Sequence, residues 1–358
     1  MEKVLICINN FKIGGAERVA SIIANYMCDK YEVHAVIGDD DINYPIDSRV
    51  SIHVLYGKNW PKFLKVPVKL IQYIRLVNRI FPDYLYAFAN SSAIYGAFCK
   101  LILKKSVTLI SSERTDPTRE PRNYFAVKLR DWAYSYSDYL VCQTPWVKDY
   151  FERRIKTKCV VIPNPITPNL PQWKGQNSNV ILTACRLEPQ KNLPLLIEAF
   201  DRLHKEFGDL KLIIYGDGYL RNQLQNLIDS KGLSDYIEMP GFINNLHDKM
   251  VNARMYVSSS DYEGISNSMI EALGIGLPII HTDCPVGGAS MFIKNGISGL
   301  LVPIRDTDAL YRAMKRMYED KELSVNCSRN SICVNRELEI GVITKKWLNL
   351  ASSKIYQF

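Results

Sequence analysis

The signatures of several common chemistry classes are missing from this 358-residue chain. Its nine cysteines are scattered, odd in number and without a C-x-x-C pair, which argues against a disulfide framework and for reduced thiols. The five histidines show no H-x-x-x-H spacing, and no acidic cluster stands out at ligand spacing, so no metal site is expected. A G-x-S-x-G elbow and a local Cys/His pairing are both lacking, which argues against a covalent hydrolase. Neither G-x-G-x-x-G nor G-x-x-x-x-G-K occurs, so a dinucleotide fingerprint and a P-loop are unsupported. Long apolar runs are also scarce. The longest helical candidate, AIYGAFCKLIL, is too short to span a bilayer and contains Lys100, and the start MEKVLICINN does not fit a signal peptide. A cytoplasmic protein is expected.

What the chain does contain is an average globular composition, 47% apolar and 23% charged, over a length that suits two domains. Short runs rich in Val, Ile and Tyr alternate with helical patterns, which predicts α/β architecture with parallel sheets. Seven strand candidates fall at 3–9, 32–38, 50–56, 83–89, 106–112, 138–144 and 158–164. Four prolines break the pattern across 162–179, read as a linker, and six more candidates follow at 179–185, 210–216, 235–241, 254–260, 277–283 and 298–303. Two doubly wound, Rossmann-like domains are expected, each with its ligand edge at the carboxyl ends of its strands and with a central cleft between them. The expected boundaries are 1–170, 171–340 and a C-terminal helix, 341–358, returning to the first domain.

The net charge of +8 lies wholly in residues 1–170, with 24 Lys and Arg against 16 Asp and Glu; the remainder is balanced at 21 against 21. Residues 48–82 carry seven basic residues, no acidic one, and Trp60, Phe63, Leu64 and Tyr73. This fits a basic amphipathic segment on an anionic membrane surface, or a helix whose apolar side packs on a sheet.

Four sites carry candidate chemistry. Gly14 and Gly15 precede a helix, where backbone N–H groups can approach an anion or simply form a tight turn. Arg186 and Lys191 lie between a strand end and a helix start, a placement that opposes the helix dipole unless an anion such as a diphosphate is shared. Glycines at strand ends in YGDGY and MPGFINN mark places where a ligand can touch backbone, and Phe242 is either a base-site wall or a core residue. The run DYEGISNSMIEALG places Glu263 in a loop and Glu271 on a helix starting near Ser266, with Asn267, Ser268 and Glu271 on one face and Met269, Ile270 and Leu273 on the other. A cap accounts for Ser266 or Asn267, but not for the glycine, two acids and three small polar residues together.

In order, GGAER, CRLEPQKN, YGDG, PGF, E-x7-E, GLPII, TDCP and NGISGLLVP resemble glycosyltransferase family 4, retaining nucleotide-sugar enzymes of the GT-B fold, over nearly the whole chain. The resemblance implies Glu263 at the donor sugar and backbone N–H groups of Gly264, Ile265, Ser266, Asn267 and Ser268 at sugar and phosphate. It also implies Arg186 and Lys191 at the diphosphate with Gly15 facing it, Glu271 at the ribose, and Gly216, Phe242 and Ile243 at the nucleotide. A front-face retaining transfer without metal or other cofactor is implied. Where many members carry a histidine, this chain has Glu113, Arg114 and Asp116, placed on the acceptor side and similar to the bacterial polysaccharide-assembly branch. A second departure is CPVGGASMF, which lacks the acidic residue many relatives place between the DCP and NG elements.

The expected partners are a nucleotide-sugar, UDP favoured, carrying a hexose or N-acetylhexosamine, and a saccharide acceptor, lipid-linked at the inner face of the plasma membrane. An epimerase of the same architecture and a non-catalytic polyanion binder are the competing classes. The latter lacks any nucleic-acid recognition motif.

Overall fold

The computed structural model describes residues 1–12, 14–55, 61–102 and 107–352. Lys58 and Trp60 of the basic segment lie outside the described residues, as do the side chains of residues 62–65 and the ends of two strand candidates, Tyr56 and Ser106. The chain forms two compact units. One comprises Met1–Pro165 and the segment from Ile340, and the other Ile166–Glu339.

The first unit holds seven strands: β1 (Lys3–Cys7), β2 (Glu32–Ile37), β3 (Ser51–Val54), β4 (Tyr84–Ala87), β5 (Thr108–Glu113), β6 (Tyr139–Cys142) and β7 (Lys158–Val161). Their order is β3-β2-β1-β4-β5-β6-β7, all parallel. Central strands such as YLYA and YLVC are buried on both faces, which is why they read as continuous apolar runs. Connections run outward in both directions from β1 and β4, so the crevice at their carboxyl ends is the switch point.

In the second unit β8 (Val180–Ala184), β9 (Lys211–Tyr215), β10 (Ile237–Gly241), β11 (Met255–Ser258), β12 (Ile279–Thr282) and β13 (Leu300–Val302) form a parallel sheet of order β10-β9-β8-β11-β12-β13. Its switch point lies between β8 and β11. The proline-rich stretch read as a linker is packed from Ile166 onward: Trp173 donates through its backbone to the Ile275 carbonyl (2.9 Å) and through Nε1 to the Ala253 carbonyl (2.8 Å).

The Lys62–Ile80 helix settles one alternative over its second half. Tyr73, Leu76, Val77 and Ile80 are buried against the fold, while Arg75 and Arg79 face solvent. The packed reading holds there, with Val66 and Ile71 exposed. Among the described residues no helix is long and apolar enough to cross a membrane.

Candidate active site

At the second switch point the loops leaving β8 and β11 are stitched together. Gln190 Nε2 donates to the Tyr262 carbonyl (2.7 Å) and to Glu263 Oε2 (3.2 Å), Asn192 Nδ2 to Asp261 Oδ1 (2.9 Å), and Ser259 Oγ to the Lys191 carbonyl (2.8 Å). Arg305 closes the outer side through Asp261 (2.7 Å). This stitching aims Lys191 Nζ at Glu263 Oε1, an ion pair in a pocket that Cys185, Tyr256, Ser260 and Ser266 also line. Burial lowers the Lys191 pKa.

The Asn267–Ile275 helix begins where expected, with Ser266 as N-cap accepting from the Met269 N–H (3.4 Å) and Gly276 in the left-handed region as C-cap. Two expectations change. The helix is not two-faced: every residue from Met269 to Ile275 is buried, Glu271 included. Ser268 Oγ does not face outward but donates to the Ala184 carbonyl (2.9 Å) and meets Tyr256 Oη (2.9 Å). Glu271 belongs to a different network from Glu263: Oε1 accepts from Thr167 Oγ1 (2.8 Å) and Oε2 lies 3.1 Å from His247 Nε2. Lys191 and Gln190 hold Glu263 whereas Thr167 and His247 hold Glu271, which is not the arrangement of a coupled acid and base.

Arg186 stands apart from the pocket. Its side chain is 64% exposed and pairs with Glu188 at 2.9 Å. Gly216 has φ +119°, and a Cβ there would collide with the Cys185 carbonyl. The glycine is therefore needed for one loop to lie on another, a reason the sequence reading attributed to ligand contact. Phe242 is 54% exposed beyond β10, so it is not a core residue, and Ile243 beside it is half-buried. Gly264 is covered by the TDCPVGG loop, whose Gly288 has no room for a Cβ beside the Gly264 carbonyl.

In the first unit, Gly14 caps the Gly15–Met27 helix without a side-chain hydrogen bond, and the Glu17 carboxylate folds over it so that a Cβ on Gly14 would collide. Where an anion was expected before Gly15, the chain supplies one of its own. Of the trio at the end of β5, Glu113, Arg114 and Asp116, the two acids serve the loop. Glu113 Oε1 accepts from the Arg114 N–H (3.0 Å), Thr115 N–H (3.2 Å) and Thr115 Oγ1 (2.9 Å), and burial raises its pKa. Asp116 Oδ1 accepts from the Thr118 N–H (2.9 Å) and Oγ1 (2.6 Å). Both acids are buried. Asp39, Asp40 and Asp41 form an acidic cluster, against the expectation that none stands at ligand spacing; Lys12 pairs with Asp39 (3.3 Å) and Asp41.

Sequence reasoning missed Gln190, Thr167 and His247. Gln190 had a signal, being next to Lys191, whereas Thr167 lay in a supposed linker and His247 was judged only for metal spacing.

The comparisons with known proteins accord with this geometry. The family model described as Glycosyltransferase Family 4 matches residues 13–170, and that described as Glycosyl transferases group 1 matches residues 171–332. A Campylobacter jejuni N-acetylgalactosamine-N,N'-diacetylbacillosaminyl-diphospho-undecaprenol 4-alpha-N-acetylgalactosaminyltransferase is 28% identical over 90% of this chain and 92% of its own. The amylovoran biosynthesis glycosyltransferase AmsD of Erwinia amylovora is 24% identical over 97% of this chain and 99% of its own. Anabaena HepE in complex with UDP-glucose shares the fold at a TM-score of 0.84 and 17% identity, covering 99% of this chain and 100% of its own. Sucrose-phosphate synthase from Thermosynechococcus elongatus does so at 0.86 and 16%, covering 99% of each chain. Two parallel-sheet units, each matched along its length by one of these models, make the chain a GT-B glycosyltransferase of family 4.

Proposed function

We propose that the protein moves a hexose or N-acetylhexosamine from a nucleotide-diphosphate sugar, UDP favoured, to a lipid-linked saccharide in cell-surface polysaccharide assembly, with retention of configuration. The observation that carries this reading is the separation of Glu263 and Glu271 into two networks at the two ends of one loop and helix start. Glu263 then grips sugar hydroxyls, Glu271 grips the ribose, and the N–H groups from Gly264 to Ser268 lie along the sugar and phosphate between them. Exposed Phe242 and half-buried Ile243, with Gly216, border the base.

A diphosphate entering the pocket draws Lys191 from Glu263 and Arg186 from Glu188. Each released carboxylate is an acceptor for hydroxyls, and the two cations stabilise the leaving diphosphate as its charge grows. That diphosphate takes the acceptor proton on the same face, so no protein nucleophile is required. Lysine and arginine supply the positive charge, and no metal or other cofactor enters the reading. The relatives named for undecaprenol-linked and amylovoran sugars motivate the lipid-linked acceptor, and HepE, named in complex with UDP-glucose, motivates the base. The excess basic charge of residues 1–170 supports peripheral binding at an anionic membrane on the cytoplasmic side.

A thermal-shift screen against UDP, GDP and their sugars tests the donor, with EDTA in parallel. Stabilisation by the UDP series, unchanged by EDTA, is expected; no shift with any nucleotide would overturn the reading. Vesicle sedimentation with anionic lipid at low salt tests the membrane part, and failure to bind would remove it.

A further inference from the structure

Arg114 is the member of the trio at the end of β5 that the loop does not use up. Its Nη2 donates to Asn164 Oδ1 (2.7 Å), an oxygen that also accepts from Gln143 Nε2 (2.7 Å). Its Nε and Nη1 are shielded from solvent and have no hydrogen-bond partner among the described residues. A guanidinium always carries its proton near neutrality, so buried N–H groups of this kind are costly unless an acceptor meets them, and an anion is the acceptor that also answers the charge. The neighbouring acids do not fill that role. Glu113 is engaged with Thr115 and Tyr134, and Glu17 is folded over Gly14. Burial lowers the Arg114 pKa to about 10, and the Glu113 and Glu17 charges oppose the fall.

The placement is that of a ligand site. Arg114 is the first residue beyond the carboxyl end of β5. Arg18, in the first turn of the Gly15–Met27 helix, donates to the Pro165 carbonyl (2.9 Å), next to the Asn164 that holds Arg114. The start of that helix and the end of β5 therefore converge on one dipeptide, within the electrostatic reach of Glu17.

We propose that Arg114 is the oxyanion receptor of the first unit, taking phosphoryl oxygens of a substrate through Nε and Nη1, with Glu17 as the internal carboxylate whose influence that phosphate supersedes. A phosphoryl group suits the site because its several oxygens can meet N–H groups on different edges of one guanidinium, while Nη2 stays on Asn164. This rests on the glycosyltransferase reading only for the source of the phosphate, which is the donor diphosphate or the diphosphate of a lipid-linked acceptor.

Titration calorimetry on the full chain tests it, with inorganic pyrophosphate, UDP and farnesyl diphosphate as probes. Arg114→Gln is expected to weaken pyrophosphate at least tenfold and Arg114→Lys to recover part of the loss, which a merely structural role would not do. Weakened UDP with unchanged farnesyl diphosphate assigns the donor, and the reverse assigns the acceptor. Unchanged affinity for all three overturns the proposal. Glu17→Gln should tighten pyrophosphate at least threefold; if Arg114→Gln does not fold, an unchanged affinity in Glu17→Gln overturns it instead. Pyrophosphate binding that depends on Arg114, without binding of any nucleoside diphosphate, would refute the donor reading and leave this site standing.

Discussion

Lys191 and Glu263 neutralise each other at the carboxyl edge of the second sheet, with side chains only 11% and 12% exposed. Both charges are largely withdrawn from water. A ligand that separates them must therefore offer both a negative group and hydroxyl donors, which is the chemistry of a sugar diphosphate.

Glu263→Gln should destabilise the second unit by about 3 kcal/mol, because it leaves the Lys191 charge buried and unpaired. Sugar transfer should fall by more than about 100-fold. The double variant Lys191→Met/Glu263→Met separates the two effects: it should regain most of the stability in urea unfolding and none of the transfer. Recovered transfer would refute a direct role for the pair.

Glu271→Ala should reduce UDP affinity by at least about tenfold, a loss of about 1.4 kcal/mol. Thr167→Ala should reduce it less, since the His247 contact to Oε2 remains. Calorimetry measures both, and equal affinity in wild type and Glu271→Ala would remove the ribose role.

His281, fully buried at the end of β12, gives a pH signature. Burial lowers its pKa to about 4. As pH falls the unfolded chain takes up the proton first, so stability is complete above about pH 6.5 and declines toward pH 4, by on the order of 3 kcal/mol. The His281→Gln protein should show a flatter stability curve across that window in chemical denaturation, and an identical slope would show that His281 does not set it.

Gly216→Ala puts a Cβ against the Cys185 carbonyl at a φ of +119°. A loss of more than about 2 kcal/mol is expected, since strain and collision add. A shift in the urea midpoint without a change in slope would report it. A neutral result would show that the loops can part without cost.

All thirteen strands were legible because buried parallel strands are short apolar runs between turn residues, a pattern local in sequence. The start of the Asn267–Ile275 helix was legible for the same reason, through its Ser266 cap. The burial of Glu271 was not. Helical periodicity separates polar from apolar faces, but the Ile166–Leu170 stretch that covers the far side comes from about a hundred residues earlier and reads as a loop. Likewise, Arg114 and Asp116 are equally polar in the sequence. Only the fold turns the acid into a turn cap and leaves the base with idle donors.

Trp347, on the Ile340–Ser352 helix, is wholly buried against Tyr86 and Phe88, at ring separations of 6.1 and 5.1 Å. The first unit thus takes part of its core from residues made after the whole second unit. On the ribosome its central strands must wait with an aromatic face uncovered until that helix emerges. Unit two can finish folding before unit one, although unit one is begun first.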